Sequence, residues 1–159
     1  MKNKSVVPSD DWLTPRTFYR SLHDRFNFNI YDPCPPNNDI NEFDGLAVDW
    51  APRTFCNPPY SLALKEKFIW KGYEQYQQGK LVVLLLPVST GTKIFHELML
   101  KYGSIEFIKG RLKFEGIDKS GNWINPGVGM YDLDVPSDTP QLSRSGQFDS
   151  LLWILNNAA

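Results

Sequence analysis

Cysteine is scarce in this chain. Cys34 and Cys56 are the only two, and they carry neither a metal spacing nor a paired repeat. That excludes a disulfide scaffold and points to a reduced, intracellular protein. Histidine is equally rare: His23 and His96 have no second ligand at a useful spacing, so no metal site is expected. The segment "DPC", at the end of a predicted strand, lacks any Gly-x-Gly, which argues against a cradled pyrophosphate and so against NAD or ATP. The longest apolar run, "LVVLLLPV", is too short to span a bilayer, and no secretory apolar segment opens the sequence. These absences predict a soluble, cytoplasmic protein. No excess of positive charge is present either, with 17 basic against 18 acidic residues. Any nucleic-acid binding must therefore come from a local patch. Neither a Ser-His-Asp pattern nor a kinase motif appears.

Apolar and aromatic residues are plentiful, at 42% and 14% of 159 residues, enough for one domain with one core. Residues 1–9, "MKNKSVVPS", read as a flexible tail, and 10–159 as a single domain. The stretch 116–147 is rich in Gly, Pro, Ser and Asp and reads as a long excursion. "LTPRTFYRSLHDRF" carries a helix start, with Thr14 as cap, Pro15 at the first helical position and Leu13 stapled on Phe18. Phe18, Leu22 and Phe26 then form one apolar face. "FNFNIYD" alternates and predicts a strand ending at Asp32. "LAVDW" and "RTFCNPPY" predict two more short strands. "LALKEKFIWKGYEQYQQG" is helical, with Gly79 as its stop. "KLVVLLLP" predicts a central strand buried on both faces. "TKIFHELMLKY" predicts a helix, "SIEFIKGRLKFEG" a strand pair or hairpin, and "SLLWIL" a last strand. The expected fold class is α/β, with a mostly parallel central sheet and flanking helices.

In such sheets ligands bind beyond the carboxyl ends of the strands. Asp32, Asp49, Asn57 and Pro87 all fall at predicted strand ends on that rim. The segment Asn57, Pro58, Pro59, Tyr60 is a rigid polar hook. The Asn57 side-chain oxygen and the Pro58 carbonyl are two acceptors that together suit a primary amine with two N–H donors. Tyr60 offers a ring face to a planar group bearing that amine. The other reading is a Pro-Pro turn that simply ends a strand. Asp32 and Asp49 suit ribose hydroxyls or an adenine amine of a nucleoside cofactor; either alone reads as a turn-forming Asp.

In order along the chain, "DDWLTPRTFYRSL", "FNFNIYDPC", "DGLAVDW", "FCNPPY", "VVLLLP" and "FIKGRLKF" resemble the phage-type DNA N6-adenine methyltransferases, the small Dam-like enzymes of phages and prophages. The match covers roughly residues 10–115, with a weaker echo in "GQFDSLLWIL". The resemblance implies a Rossmann-like methyltransferase fold that uses S-adenosylmethionine, a cofactor without phosphates. It implies Thr14 and Pro15 near the methionine end of that cofactor. Asp32, Pro33 and Cys34 fall at the first cofactor-binding strand end, Cys34 as a packing residue, and Asp49 near the cofactor adenine. It implies Asn57, Pro58, Pro59 and Tyr60 as the catalytic tetrapeptide, acting on an adenine flipped out of double-stranded DNA. The family's Pro-Phe-Pro-Ser element reads here Gln147, Phe148, Asp149, Ser150.

Lys109, Arg111 and Lys113 alternate, which on a strand would turn three cations to one side and offer them to phosphates. The alternative is a solvated, edge-protecting strand face. The chain is expected to act as a monomer or weak homodimer in a bacterial host cell. Other acceptors fit the hook as well: cytosine N4, an RNA base or a protein glutamine. A non-catalytic DNA-binding relative is the reading from another class.

Overall fold

Leu81–Pro87 forms the central strand, and the chain is organised around it. The computed structural model describes residues 13–35, 40–112, 114, 116–117, 123–124 and 148–157. The tail 1–9 and nearly all of the excursion 116–147 lie outside them. In chain order the elements are α1 (Arg16–Phe26), β1 (Arg53–Cys56), α2 (Leu62–Gln77), β2 (Leu81–Pro87), a π-helical turn (Phe95–Met99), β3 (Ser104–Phe107), the short ladder β4 (Gly116–Ile117) and β5 (Trp123–Ile124), and β6 (Ser150–Leu155).

β1, β2, β6 and β3 lie side by side in that order. β1 and β2 are parallel, Cys56 facing Leu84. β6 is antiparallel to both its neighbours, with Trp153 between Leu84 and Ile105. The fold is α/β as expected, but the sheet is mixed, not mostly parallel. The physical reason is that β6 enters reversed between β2 and β3. Its run "SLLWIL" is buried at every position, and a continuous apolar strand carries no mark of its direction.

Side chains alternate along the strands, so each face of the sheet has its own core. Cys56, Val82, Leu84, Leu86, Leu151 and Trp153 meet α2 and the π turn through Phe68, Ile69, Leu98 and Met99. Phe55, Leu81, Val83, Leu85, Leu152 and Ile154 meet α1 through Leu22 and Phe26. Gly72 lets α2 press on the sheet, since a Cβ there would lie 2.9 Å from Leu84 Cδ1. Gly79 ends that helix at φ 93°, a left-handed conformation.

Several local expectations change. α1 starts one residue later than read: Pro15 is its boundary residue and no side chain caps it, so Thr14 does not. No strand forms over 26–32, because Phe26 still belongs to α1 and Asn27 turns left-handed at φ 53°. "LAVDW" forms a turn at Leu46 and Ala47, a bend at Val48 and irregular chain at Asp49 and Trp50. β3 pairs with β6 rather than folding back as a hairpin, and the helix after β2 contains a π turn closed by Leu100 N–H on the Phe95 carbonyl at 2.9 Å.

Candidate active site at the carboxyl edge of β1 and β2

Because β1 and β2 are parallel, Asn57 and Pro87 leave the sheet at the same edge. Two prolines then deny the chain the N–H groups that would extend β1. Pro58 is buried, while Asn57, Pro59 and Tyr60 are half-buried. Tyr60 turns back over the α1 side of the sheet, where its hydroxyl donates to the Leu85 carbonyl at 3.1 Å. Burial raises that hydroxyl well above the usual tyrosine value. Phe148 and Phe114 meet its ring edge-on, at centroid separations of 5.3 and 6.0 Å. Hydroxyl and ring are thus both held.

The turn at Asp32 reaches this edge by running alongside β1. Asn29 exchanges two hydrogen bonds with Arg53: its N–H to the Arg53 carbonyl, and the Arg53 N–H to its Oδ1, both 2.8 Å. Five residues on, the Cys34 thiol donates to the Asn57 carbonyl at 3.0 Å and lies 3.6 Å from the Cys56 sulfur. Residue 29 sits beside the start of β1 and residue 34 beside its end. The segment follows the strand's direction without joining its ladder. Asp32 accepts the Cys34 N–H at 2.9 Å. Although Asp32 keeps an exposed surface, protein crowded around its carboxyl raises its pKa, and the bond from Cys34 opposes that only in part. Gly45 packs against this turn so closely that a Cβ would stand 1.7 Å from the Pro33 oxygen.

α1 runs antiparallel to β1. Its Phe26 carbonyl receives Arg53 Nε at 2.9 Å at the start of the strand, and Tyr19 meets Phe55 near the end, with ring centroids 5.4 Å apart. One turn before Tyr19, Thr14 and the buried Pro15 therefore lie toward the Asn57 edge. The structure brings Thr14, Pro15, Asp32, Pro33, Cys34 and the hook to one side.

Asp49 does not join them. It stands ahead of β1, at the opposite edge, where it accepts Gln75 Nε2 at 3.3 Å. The expectation that it ends a strand fails because α2 returns to that edge and holds it there. The cation row also changes. Residues 108–112 follow β3 as irregular chain, and Gly110 turns left-handed at φ 76°, so strand alternation does not align Lys109 with Arg111. Arg111 pairs with Asp149 at 3.4 Å, Lys109 is exposed, and Lys113 lies outside the described residues.

Sequence reasoning missed Phe114 and Phe148 as partners of Tyr60. The one available signal was Phe148 itself, the residue that survives in the altered Pro-Phe-Pro-Ser element. It also missed Tyr31, whose buried hydroxyl has no hydrogen-bond partner among the described residues. Among those residues no His, Cys, Asp and Glu group of metal-binding size occurs, and no helix is long and apolar enough to cross a membrane.

No curated protein and no solved structure matches the chain. A family model described as DNA N-6-adenine-methyltransferase (Dam) matches residues 2–157. With nearly its whole length matched, and with Asn-Pro-Pro-Tyr set at a sheet edge beside an acidic turn, the chain belongs to the Dam family of DNA N-6-adenine-methyltransferases.

Proposed function

We propose that this edge transfers a methyl group from S-adenosylmethionine to N6 of an adenine flipped out of double-stranded DNA. The observation that carries the reading is the 3.0 Å bond from the Cys34 thiol to the Asn57 carbonyl, which sets the Asp32 turn directly against the hook. Cofactor side and acceptor side are thereby neighbours. The mixed α/β sheet, with its parallel pair at the site, is read as a Rossmann-like methyltransferase fold.

The residues fit such a cofactor. An aspartate carboxylate is an acceptor, suited to ribose hydroxyls, and Asp32 presents one at an exposed turn. The Tyr31 hydroxyl beside it is a buried polar atom in want of a partner. Nothing in the turn resembles a glycine-rich phosphate cradle, in keeping with a ligand that has no phosphate. Asp32, Pro33 and Cys34 would hold the nucleoside part, and Thr14 and Pro15 the methionine end. Asp49, at the far edge, has no part in the reading. When bound, S-adenosylmethionine supplies a methyl carbon activated by its sulfonium.

Asn57 Oδ1 and the Pro58 carbonyl accept the two N–H bonds of the adenine amine and turn its lone pair toward that carbon. As the N–C bond forms and the carbon–sulfur bond breaks to leave a neutral thioether, positive charge grows on nitrogen, and the fixed acceptors would stabilise it most at that moment. The proton then passes from nitrogen to water. Tyr60, tied at its hydroxyl and gripped by Phe114 and Phe148, gives the extruded base a surface with little freedom to lose. Positioning of this kind supplies much of the acceleration. Lys109 is the exposed cation assigned to phosphate, with Arg111 shared with Asp149 and Lys113 completing the set. We read the enzyme as phage-type and active in the bacterial cytoplasm, on the resemblance of its motifs.

The test is incubation with unmethylated duplex DNA and radiolabelled S-adenosylmethionine, followed by digestion to nucleosides. Label is expected in N6-methyldeoxyadenosine. Asn57→Ala should lower the rate by about 10²–10³-fold with thermal stability intact. Label in N4-methyldeoxycytidine, or an unimpaired variant, refutes the assignment.

A further inference from the structure

The structure assigns Cys34 and Cys56 as a thiol pair that hydrogen peroxide closes into an intramolecular disulfide across the active-site edge, and that a dithiol reductant reopens. The chain's two cysteines come from separate segments, yet their sulfurs lie 3.6 Å apart. A disulfide needs about 2.05 Å, so the approach required is roughly 1.5 Å. One partner can move: Cys34 sits in a turn outside the ladder, whereas Cys56 is the last residue of β1 and has no exposed surface.

That difference in exposure fixes the order of events. Cys34 keeps some exposed surface although its sulfur is packed against Asn57 and Cys56, whereas Cys56 keeps none, so movement of the turn opens Cys34 to an oxidant first. The Cys34 thiol gives its proton to water and the thiolate attacks the peroxide; an S–O bond forms, the O–O bond breaks, and hydroxide leaves, taking up that proton to become water. The Cys56 sulfur then attacks the Cys34 sulfenic acid; the S–S bond forms, the S–O bond breaks, and the hydroxyl departs as water with the Cys56 proton. Two thiols lose two electrons and two protons, and the peroxide becomes two waters. The neighbouring Cys56 thiol, burial and Asp32 all hold the Cys34 pKa well above that of an ordinary cysteine. Thiolate is therefore scarce at neutral pH, and closure is slow there and accelerates as pH rises.

Closure removes the hydrogen bond that Cys34 donates to the Asn57 carbonyl and staples the Asp32 turn to the end of β1. The chemistry stands apart from the proposed methyl transfer; only its effect on rate rests on that reading. The experiment treats the full chain with hydrogen peroxide over a range of pH, blocks remaining thiols and maps peptides by mass spectrometry. Expected are a loss of two mass units, a peptide joining residues 34 and 56, restoration by dithiothreitol, and faster closure at higher pH. Transfer should fall at least tenfold and return on reduction. In Cys56→Ala, dimedone should capture a sulfenic acid on Cys34, and Cys34→Ser should leave Cys56 unreacted. Two alkylatable thiols after oxidation, or a link only between chains, overturns the pair. A clean internal link in a chain inactive from the outset refutes the methyl-transfer reading and leaves the pair standing.

Discussion

The two ends of β1 are built by opposite rules. At its start many donors among the described residues are engaged, although His23 Nδ1 is buried without a partner there. Trp50 N–H donates to Gln75 Oε1 at 2.8 Å and Thr54 Oγ1 to the Ala51 carbonyl at 2.9 Å. Lys80 Nζ also donates to Gln75 Oε1, Gln75 Nε2 donates to Asp49, and Arg53 reaches the Phe26 and Asn27 carbonyls at the end of α1. At its finish stand two prolines, two thiols, and the buried hydroxyls of Tyr31 and Ser150 without partners among the described residues. A buried polar atom without a partner costs stability, so a fold keeps such atoms where a ligand or a reaction gives a return. The end braced by hydrogen bonds is thus the one opposite the proposed site.

Gln75→Ala attacks the braced end and should show the largest effect on stability. It strips the Trp50 N–H of its acceptor in a fully buried setting, at a cost of about 1–3 kcal/mol. Chemical denaturation measures that loss. At a temperature where the variant is still folded, its affinity for S-adenosylmethionine should stay within twofold of the parent, because Gln75 lies at the far edge. A large fall in that affinity would mean the two ends are not independent.

Asp32→Asn addresses the other end, with a smaller effect of opposite character. Loss of the charged acceptor should weaken S-adenosylmethionine binding about tenfold, near 1.4 kcal/mol, by calorimetry. Stability should not fall. The Asp32 carboxyl is raised by desolvation, so the folded chain binds its proton more tightly than the unfolded chain does. The parent therefore loses stability as pH rises from the ordinary aspartate value, about 3.9, through the folded value, and the variant lacks this loss. A variant with normal cofactor affinity but lower stability at neutral pH would place Asp32 among the bracing residues instead.

The braced and the reactive ends were not equally legible in the sequence. β1, β2, β6 and both α-helices follow from apolar period and from Gly79, because burial writes those patterns directly. The hook followed from Asn57, Pro58, Pro59 and Tyr60, where rigid residues stand next to each other. The run 26–32 misled because Phe26 and Phe28 alternate as in a strand while serving the end of a helix and a coil. Asp49 misled because an aspartate after an apolar run looks the same at either edge of a sheet; only the return of α2 decides. The aromatic grip on Tyr60 and the approach of Cys34 to Cys56 join distant segments, and apart from Phe148 they leave no local trace.

The smallest expected effect concerns a carboxylate on the edge strand β3, three strands from the hook, that titrates in the direction opposite to Asp32. Arg25, next to Phe26 at the end of α1, grips Glu106 of β3 through both terminal guanidinium nitrogens, at 2.8 and 2.7 Å. Arg25 lowers the Glu106 carboxyl below the usual glutamate range by hydrogen bonding, with burial working slightly against it. A lowered folded value means stability that is fully present above the unfolded value, about 4.3, and lost as pH falls through the folded value. Both side chains are about half exposed, 50% and 48%, so water and salt screen the pair and Glu106→Gln should cost under about 1 kcal/mol at neutral pH. Parent and variant should converge both in acid and at high salt, as followed by thermal melts across pH. If the gap persisted in acid, the side chain would be acting through packing rather than charge. The expected asymmetry, with Glu106 stabilising when ionised and Asp32 destabilising when ionised, would then rest on Asp32 alone.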